Sequence, residues 1–427
     1  MKVQKNKTAS SRNSRANRRE IRAAALQLLR DPTFLFRVGQ KLEQLGITGE
    51  EKSRLTIFLA SLTKDLNRPV SVLVKGVTSS GKNHALRTII SLLPPESVII
   101  RASLTAKSLA YGSGDLGGKV FYIYEYRGGR DAQYMTRELQ SEGSLQHEHT
   151  VSVGNDRSTK VARRTGDPVF VSTTTSLKVY ADDETRFLSL KADESEDLTR
   201  KVLRSKFQQN EPKIQQPAVE IWQETVRLIS ENPRGFRYPQ WFGCLAEEIP
   251  AGETRARRDA ERFLSLLKAV TVCRSFSDGR REVKGDIEIN LADYCVAYEI
   301  LSDAFAFTYS GAHPNALKVA ETVRKLNGDL KRPVTTEEIR EHHGWERDVT
   351  YKWINVAIER NLIAREPGTR ENNLKRLIPR AGAETKFLPH PTLILREVED
   401  GMKFVRYVHP LTGRQQTLRR QAEEDDV

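Results

Sequence analysis

A chain of 427 residues with a net charge of +13 and a pI near 9.5 has room for roughly two or three domains, and its excess of cation fits a polyanion partner better than a merely soluble basic surface. No apolar run approaches the length that crosses a bilayer, and the basic N-terminus lacks the apolar segment of a signal peptide. No membrane role is therefore expected, and Cys244, Cys273 and Cys295, too scattered for a metal knuckle, fit buried thiols in a reducing cytoplasm.

Residues 1–20 hold seven Lys or Arg against one Glu, with Ser and Asn between them, and are expected to form a disordered basic tail. Residues 21–69 carry apolar side chains at helical spacing (Ile21, Ala24, Leu28; Leu55, Phe58, Leu59, Leu62) and form a helical lead-in. Residues 70–197 then alternate strands and helices, the pattern of a parallel sheet. The strands expected there are Val70–Val74, Ser97–Arg101, Lys119–Tyr124, Val169–Thr173 and Arg186–Leu190.

The first of these strands runs into Gly76-Val77-Thr78-Ser79-Ser80-Gly81-Lys82-Asn83, and a helical repeat of Leu86, Ile89, Ile90 and Leu93 follows. Strand, G-x-x-x-x-G-K, helix is the setting in which this pattern makes a phosphate site. Backbone N–H groups converge on phosphate oxygens, the helix N-terminus adds positive charge, and Lys82 reaches the β- and γ-phosphates. The octet implies binding of a nucleoside triphosphate, ATP with Mg²⁺. The usual Ser or Thr after the lysine is replaced by Asn83, whose amide oxygen is also a hard ligand.

Beyond it, Gln133–Ser141 is expected to be helical, and Leu145–Val153 turns back at residues 154–157 as a β-hairpin ending near Arg164. Residues 198–310 read as a helical lid broken at Pro239–Gly243 and Ser277–Gly279. Residues 311–380 read as helix, helix, turn, helix, wing: Ala316–Leu326, a short helix opened by the capping box Thr335-Thr-Glu-Glu338, then Arg347–Asn361 with Val349, Trp353, Val356 and Leu362 on one stripe, and a tip at 365–370. Residues 381–427 form an extension ending in the acidic Glu423–Asp426.

Three further positions fit ATP hydrolysis. Glu125 ends the third strand where such enzymes carry an acid that polarises water, and it could also approach the metal; Tyr124 stands where a second, metal-associated acid is usual. The tip of the fourth strand would lie between the first and third, beside the γ-phosphate, and Thr174, with Thr173 close behind, is the candidate there. Arg186 precedes the fifth strand, where an arginine can enter a neighbouring subunit's site; a surface ion pair is the plainer alternative.

Together these features resemble the AAA+-like P-loop ATPase module of primase-helicase-like proteins of phages and mobile elements. The likeness spans about residues 25–275 and extends, more distantly, to the minichromosome-maintenance helicases. Asp31-Pro32, Gly49-Glu-Glu51, Leu139–Gly143, Ser172–Thr175, Glu184-Thr-Arg186, Asp193-Glu-Ser195 and Thr199-Arg200 carry it with the P-loop. The resemblance implies an ATPase that works as a homo-oligomeric ring on DNA in replication; the zinc-finger primase often fused to this module is not expected here, since three scattered cysteines cannot build it, and a separate primase is a candidate partner. It makes residues 145–164 the DNA-contacting hairpin and Arg255, Arg257 and Arg258 candidates for a second phosphate-sensing arginine, with Arg258 preferred. Independently, Lys160, Arg163 and Arg164 on the hairpin and Lys352 and Arg360 in the winged helix offer cations for DNA phosphates.

The expected fold is thus α/β: an AAA+-like P-loop parallel sheet with helical lead-in and lid, followed by a C-terminal winged helix. The expected function is an ATP-dependent DNA translocase or helicase. The alternative is a nucleotide-switched DNA-binding initiator or loader that hydrolyses slowly, to which the changes at Asn83 and Tyr124 point.

Overall fold

The computed structural model describes residues 17–77, 81–111, 114–126, 130–153, 156–175, 181–207, 217–231, 235–252, 254–280, 282–283, 285–360, 362–366, 376–380, 387–398 and 402–420. Residues 1–16 of the expected tail, Thr78–Ser80, residues 154–155 of the expected turn, residues 367–370 of the expected wing tip and the acidic Glu423–Asp426 lie outside them. The tail boundary expected at residue 20 is too late. Residues 17–29 are helical (α1), with Ala25, Leu28 and Leu29 buried on one face, so helix begins inside the basic run.

Two helices, α2 (Phe34–Gln44) and α3 (Glu51–Leu62), complete the lead-in. The core follows as β1 (Val72–Lys75), α4 (Lys82–Ile90), β2 (Val98–Arg101), α5 (Ala106–Ala110), β3 (Val120–Ile123), α6 (Arg130–Glu142), the long pair β4 (Ser144–Val153) and β5 (Asp156–Thr165), β6 (Val169–Thr174), α7 (Ala181–Glu184) and β7 (Leu188–Lys191). The five-stranded sheet runs β2-β3-β6-β1-β7, every pair parallel. β1, β3 and β6 are buried along their whole length, which is why they read as apolar runs rather than alternating ones. One face packs Val72, Val74, Tyr122 and Val171 against α3 and α4; the other packs Leu73, Phe121 and Phe170 against α5 and α6. β4 and β5 pair antiparallel over ten residues each, as a separate ribbon.

Beyond the sheet come α8 (Glu196–Phe207), α9 (Val219–Ser230), β8 (Gly235–Arg237), α10 (Phe242–Glu248), α11 (Ala256–Ser275), β9 (Glu282–Val283), β10 (Asp286–Glu288) and α12 (Leu291–Ser310). The sheet β8-β10-β9 interrupts what the sequence presents as mostly helix. α11 and α12 bury Phe263, Leu266, Ile300 and Phe305 in the same core as the lead-in. Fully buried Asp293 on α12 ties this region together: Arg274 and both ends of Arg280 bond its carboxylate. Burial pushes its pKa up, but the Arg280 hydrogen bonds and the two guanidinium charges outweigh that and hold it below the usual carboxylate range.

α13 (Pro314–Leu330), α14 (Thr336–His343), α15 (Arg347–Glu359), β11 (Ile363–Arg365) and β12 (Leu377–Pro379) bury a cluster of their own around Val319, Val323, Ile339, Ile354 and Leu377. The Thr335 capping box forms, and Gly344 ends α14 at φ 65°, a left-handed conformation that costs glycine little. β11 and β12 pair antiparallel, and Val334 bridges to Leu377. Val349 does not join the expected stripe; it is exposed. The chain closes with α16 (Pro391–Glu397), β13 (Phe404–Val408) and β14 (Gln415–Arg419), a helix and an antiparallel pair packed on α12. Among the described residues no helix is long and apolar enough to cross a membrane.

Candidate nucleotide site

The site lies at the C-terminal end of β1. Gly76 N–H donates to the Thr174 carbonyl at 3.1 Å, fixing the loop's first residue to the end of β6. Val77 N–H donates to the Glu194 carboxylate at 2.7 Å. Gly81 holds φ +79° with open space where a Cβ would sit, and Lys82 begins α4 directly after it. The Lys82 ammonium donates to the carbonyls of Gly76 (2.8 Å) and Val77 (2.5 Å), so the cation sits at the mouth of the loop. Partial burial lowers its pKa, against the raising effect of Glu194, Glu125 and Glu50, the carboxylates whose charge reaches it.

Behind Lys82, the Asn83 side-chain oxygen lies 3.2 Å from the Tyr122 hydroxyl and 3.3 Å from that of Thr173. Thr173 has one proton, and the Tyr124 carbonyl at 2.5 Å takes it, so Asn83 keeps acceptor capacity. Burial pushes the Tyr122 phenol up to about 12, so it stays protonated. Tyr124, at the position of the missing acid, turns to α4: Arg87 donates to its hydroxyl at 2.5 Å, and the guanidinium carbon lies 4.6 Å from the ring centre. Half-buried Glu125 lies two residues past β3 and lines a small recess with Leu104, Tyr126 and Thr136. Mg²⁺ needs only one or two protein oxygens when phosphates and waters supply the rest. Asn83, with an acceptor oxygen to spare, and Glu125 are oxygen donors of the type that would meet that minimum.

β6 lies between β1 and β3, as expected, but its hydroxyl facing Asn83 belongs to Thr173 rather than Thr174. Adjacent residues of a strand point to opposite faces. Thr174 is buried and contributes its carbonyl to Gly76.

A second constellation surrounds α7. Half-buried Arg186 donates to the Ser141 hydroxyl on α6, and Arg258 donates to the Thr185 hydroxyl at 3.0 Å. Burial lowers the Arg186 pKa first, then the like charges of Arg258 and Arg137. Arg137 faces Asp182 and Asp183 at 3.6 and 3.3 Å. Glu184 of α7 pairs in turn with Lys75 at the end of β1. Of the three candidate arginines, Arg255 is committed to buried Asp259 at 2.8 Å; Arg257 and Arg258 are both exposed, and it is Arg258 whose charge acts on Arg186.

The expected DNA contacts divide. Arg163 is exposed on β5 opposite Gln146. Arg164 is a correction: it is only 8% exposed, and its guanidinium donates to the carbonyls of Leu109 (3.0 Å) and Gly114 (2.9 Å), pinning the ribbon's base to the α5 segment. Lys160 pairs with His149 in the ladder, and its side chain lies outside the described residues. Arg360 is exposed beside Gly311. Lys352 is exposed too, but it lines a cavity of about 790 Å³ with Lys191, His313 and Trp353, facing the sheet's end and α12.

Glu194, Tyr122 and Arg87 are residues beside the loop that the motif reading missed. The tyrosines carried a signal, since Tyr122 in β3 and Tyr124 just past it are two residues apart, and both meet α4.

A parallel sheet whose first strand feeds a glycine loop and a lysine-led helix, with an acid past the third strand, defines a P-loop NTPase module. Residues 22–232 match the family model described as the MTBMA_p00010 P-loop domain, a span from α1 to just past α9. No curated protein sequence matches the chain.

Proposed function

We propose that the protein is an ATP-dependent DNA translocase or helicase, working as a homo-oligomeric ring in the replication of a phage or mobile element beside a separate primase. One observation carries the reading: the catalytic groups fall into two constellations on one chain. Lys82, Asn83 and Glu125 stand at the phosphate end of the sheet. Arg186 and Arg258 gather at α7. A ring brings the arginines of one subunit to the phosphates of the next.

Within that reading Lys82 neutralises the β- and γ-phosphates and Thr173 orients the attacking water. Glu125 accepts the water's proton as its oxygen bonds to the γ-phosphorus and the bond to the bridging oxygen breaks. Mg²⁺ would rest on Asn83 and, through water, on Glu125, and would draw charge from the phosphate oxygens. The ten-residue strands of β4 and β5, with exposed Arg163 and with Lys160, reach for DNA. The three helices and hairpin of residues 311–380 fit a winged helix, with Arg360 as its outward cation. Residues 21–69, 70–197 and 198–310 serve as lead-in, core and lid.

The absence of an acid at the corner of Asn83, Tyr122 and Tyr124 favours the second reading, a nucleotide-switched initiator or loader with slow hydrolysis. Steady-state ATP turnover with and without single-stranded DNA separates them. Stimulation by DNA that vanishes in Lys82→Ala supports the translocase. ATP binding without turnover in either condition supports the switch, and undiminished turnover in Lys82→Ala overturns the phosphate site.

A further inference from the structure

The ribbon of β13 and β14 is exposed on one face and anchored on the other. Its inner face holds buried Val405, Leu418 packed on the main core, and Tyr407, whose hydroxyl donates to Glu299 at 3.1 Å. The outer face, set by strand parity and register, presents Phe404 and Arg406 on β13, with Arg419 directly opposite Phe404. Phe404 is 48% exposed, and the Arg406 guanidinium lies 4.9 Å from its ring centre. Lys403 and Arg414 add charge at the two ends of the ribbon, and residues 402–420 contain no Asp or Glu. Among the described residues, Lys403, Arg406, Arg414 and Arg419 make no ion pair with a carboxylate.

We infer that this outer face binds single-stranded nucleic acid, with Phe404 as a stacking platform for a base and Arg406 and Arg419 on the flanking phosphates. An exposed ring bracketed by cations is the combination such strands require, because every base has a π-face and every nucleotide a charge. A duplex keeps its bases stacked inside and would leave Phe404 unused. The inference deepens the DNA reading above and adds a binding surface separate from the β4–β5 ribbon.

Fluorescence anisotropy of labelled oligothymidylate, titrated with the full chain at several salt concentrations, tests it. Replacing both Arg406 and Arg419 by Ala should weaken binding by about tenfold, and the slope of log affinity against log salt should shrink by about 1.4, or about 0.7 for each phosphate left without its cation. Phe404→Ala should weaken binding by about fivefold or more at every salt concentration, since stacking is not screened. Circular dichroism melts and DNA-free ATP turnover should match wild type, showing that the fold is intact. If wild type and ribbon variants bind equally while Arg163→Glu weakens binding, the ribbon inference is overturned and the DNA reading stands. If wild type does not bind oligothymidylate, both fall. Loss of binding to phosphatidylserine vesicles alone, with oligothymidylate binding unchanged, would assign the face to a membrane surface and likewise overturn it.

Discussion

Glu194 holds the first free N–H of the phosphate loop, and its carboxylate is among the charges acting on Lys82, so neutralising it should tighten ATP binding. The bond from Val77 is 2.7 Å long and charge-assisted, of a kind that contributes about 1.5–3 kcal/mol, whereas a neutral acceptor contributes about 0.5–1.5. Glu194→Gln keeps the shape and an acceptor oxygen, so the loop loses about 1 kcal/mol of its hold on that N–H. The carboxylate also repels an incoming triphosphate; at an effective dielectric near 20, a unit charge about 8 Å away costs about 2 kcal/mol, and exposure reduces that by roughly half. The two effects act in the same direction and add to about 1–2 kcal/mol, or about 5- to 30-fold in dissociation constant. Titration with a fluorescent ATP analogue at fixed Mg²⁺ measures it. Equal or weaker binding by Glu194→Gln would mean that the carboxylate shapes the loop for nucleotide rather than competing with it, and the electrostatic argument would be wrong.

Three other outcomes follow from the same geometry. Glu125→Gln should bind ATP as wild type does yet lose turnover by about 100-fold or more, the scale of a lost general base; rapid quench of a single turnover reads it, and an unchanged rate removes Glu125 from the chemistry. Asp293→Asn leaves Arg274 and Arg280 facing a neutral amide inside the core and should cost about 3–5 kcal/mol, visible as a lower urea midpoint. His313 stacks on Trp353 at 3.7 Å, and burial, with Lys191 and Lys352 nearby, lowers its pKa from 6.5 to about 3. The folded state therefore favours neutral imidazole. The stability this contributes is present above pH 6.5 and is lost as pH falls toward 3. Urea midpoints at about pH 7.5 and about pH 5 should differ more in wild type than in His313→Phe, and equal differences would refute the assignment.

The parallel strands were legible because they are buried on both faces: β1, β3 and β6 each fall within two residues of the apolar runs that announce them. The phosphate loop, the capping box at Thr335 and the β4–β5 pair were legible from local chemistry, since glycines, caps and alternation act within a few residues. Strand parity was not. Arg163 and Arg164 are equally basic, as Thr173 and Thr174 are equally polar; which one faces inward depends on the partner strand and the elements above it, and a slip of one residue exchanges them. The small sheet of β8, β9 and β10 was hidden because two or three residues cannot display a period. The β13–β14 ribbon was hidden because β14 buries only one face lightly and reads Gln-Gln-Thr-Leu-Arg, polar on both sides.

The central claim, that one chain's phosphate loop works with another chain's arginines, has a direct test in mixing. Lys82→Ala lacks the loop cation and Arg186→Ala lacks the arginine, so each alone should be inactive. In an equal mixture that assembles at random, an interface is competent when an intact loop meets an intact arginine. That holds at about one interface in four whatever the ring size, because each condition is met half the time. The account predicts recovery toward about a quarter of wild-type ATP turnover, rising with total protein concentration as rings form. Zero recovery, together with wild-type turnover per chain that does not change on dilution, would contradict it and leave Arg186 a surface residue of a monomeric ATPase.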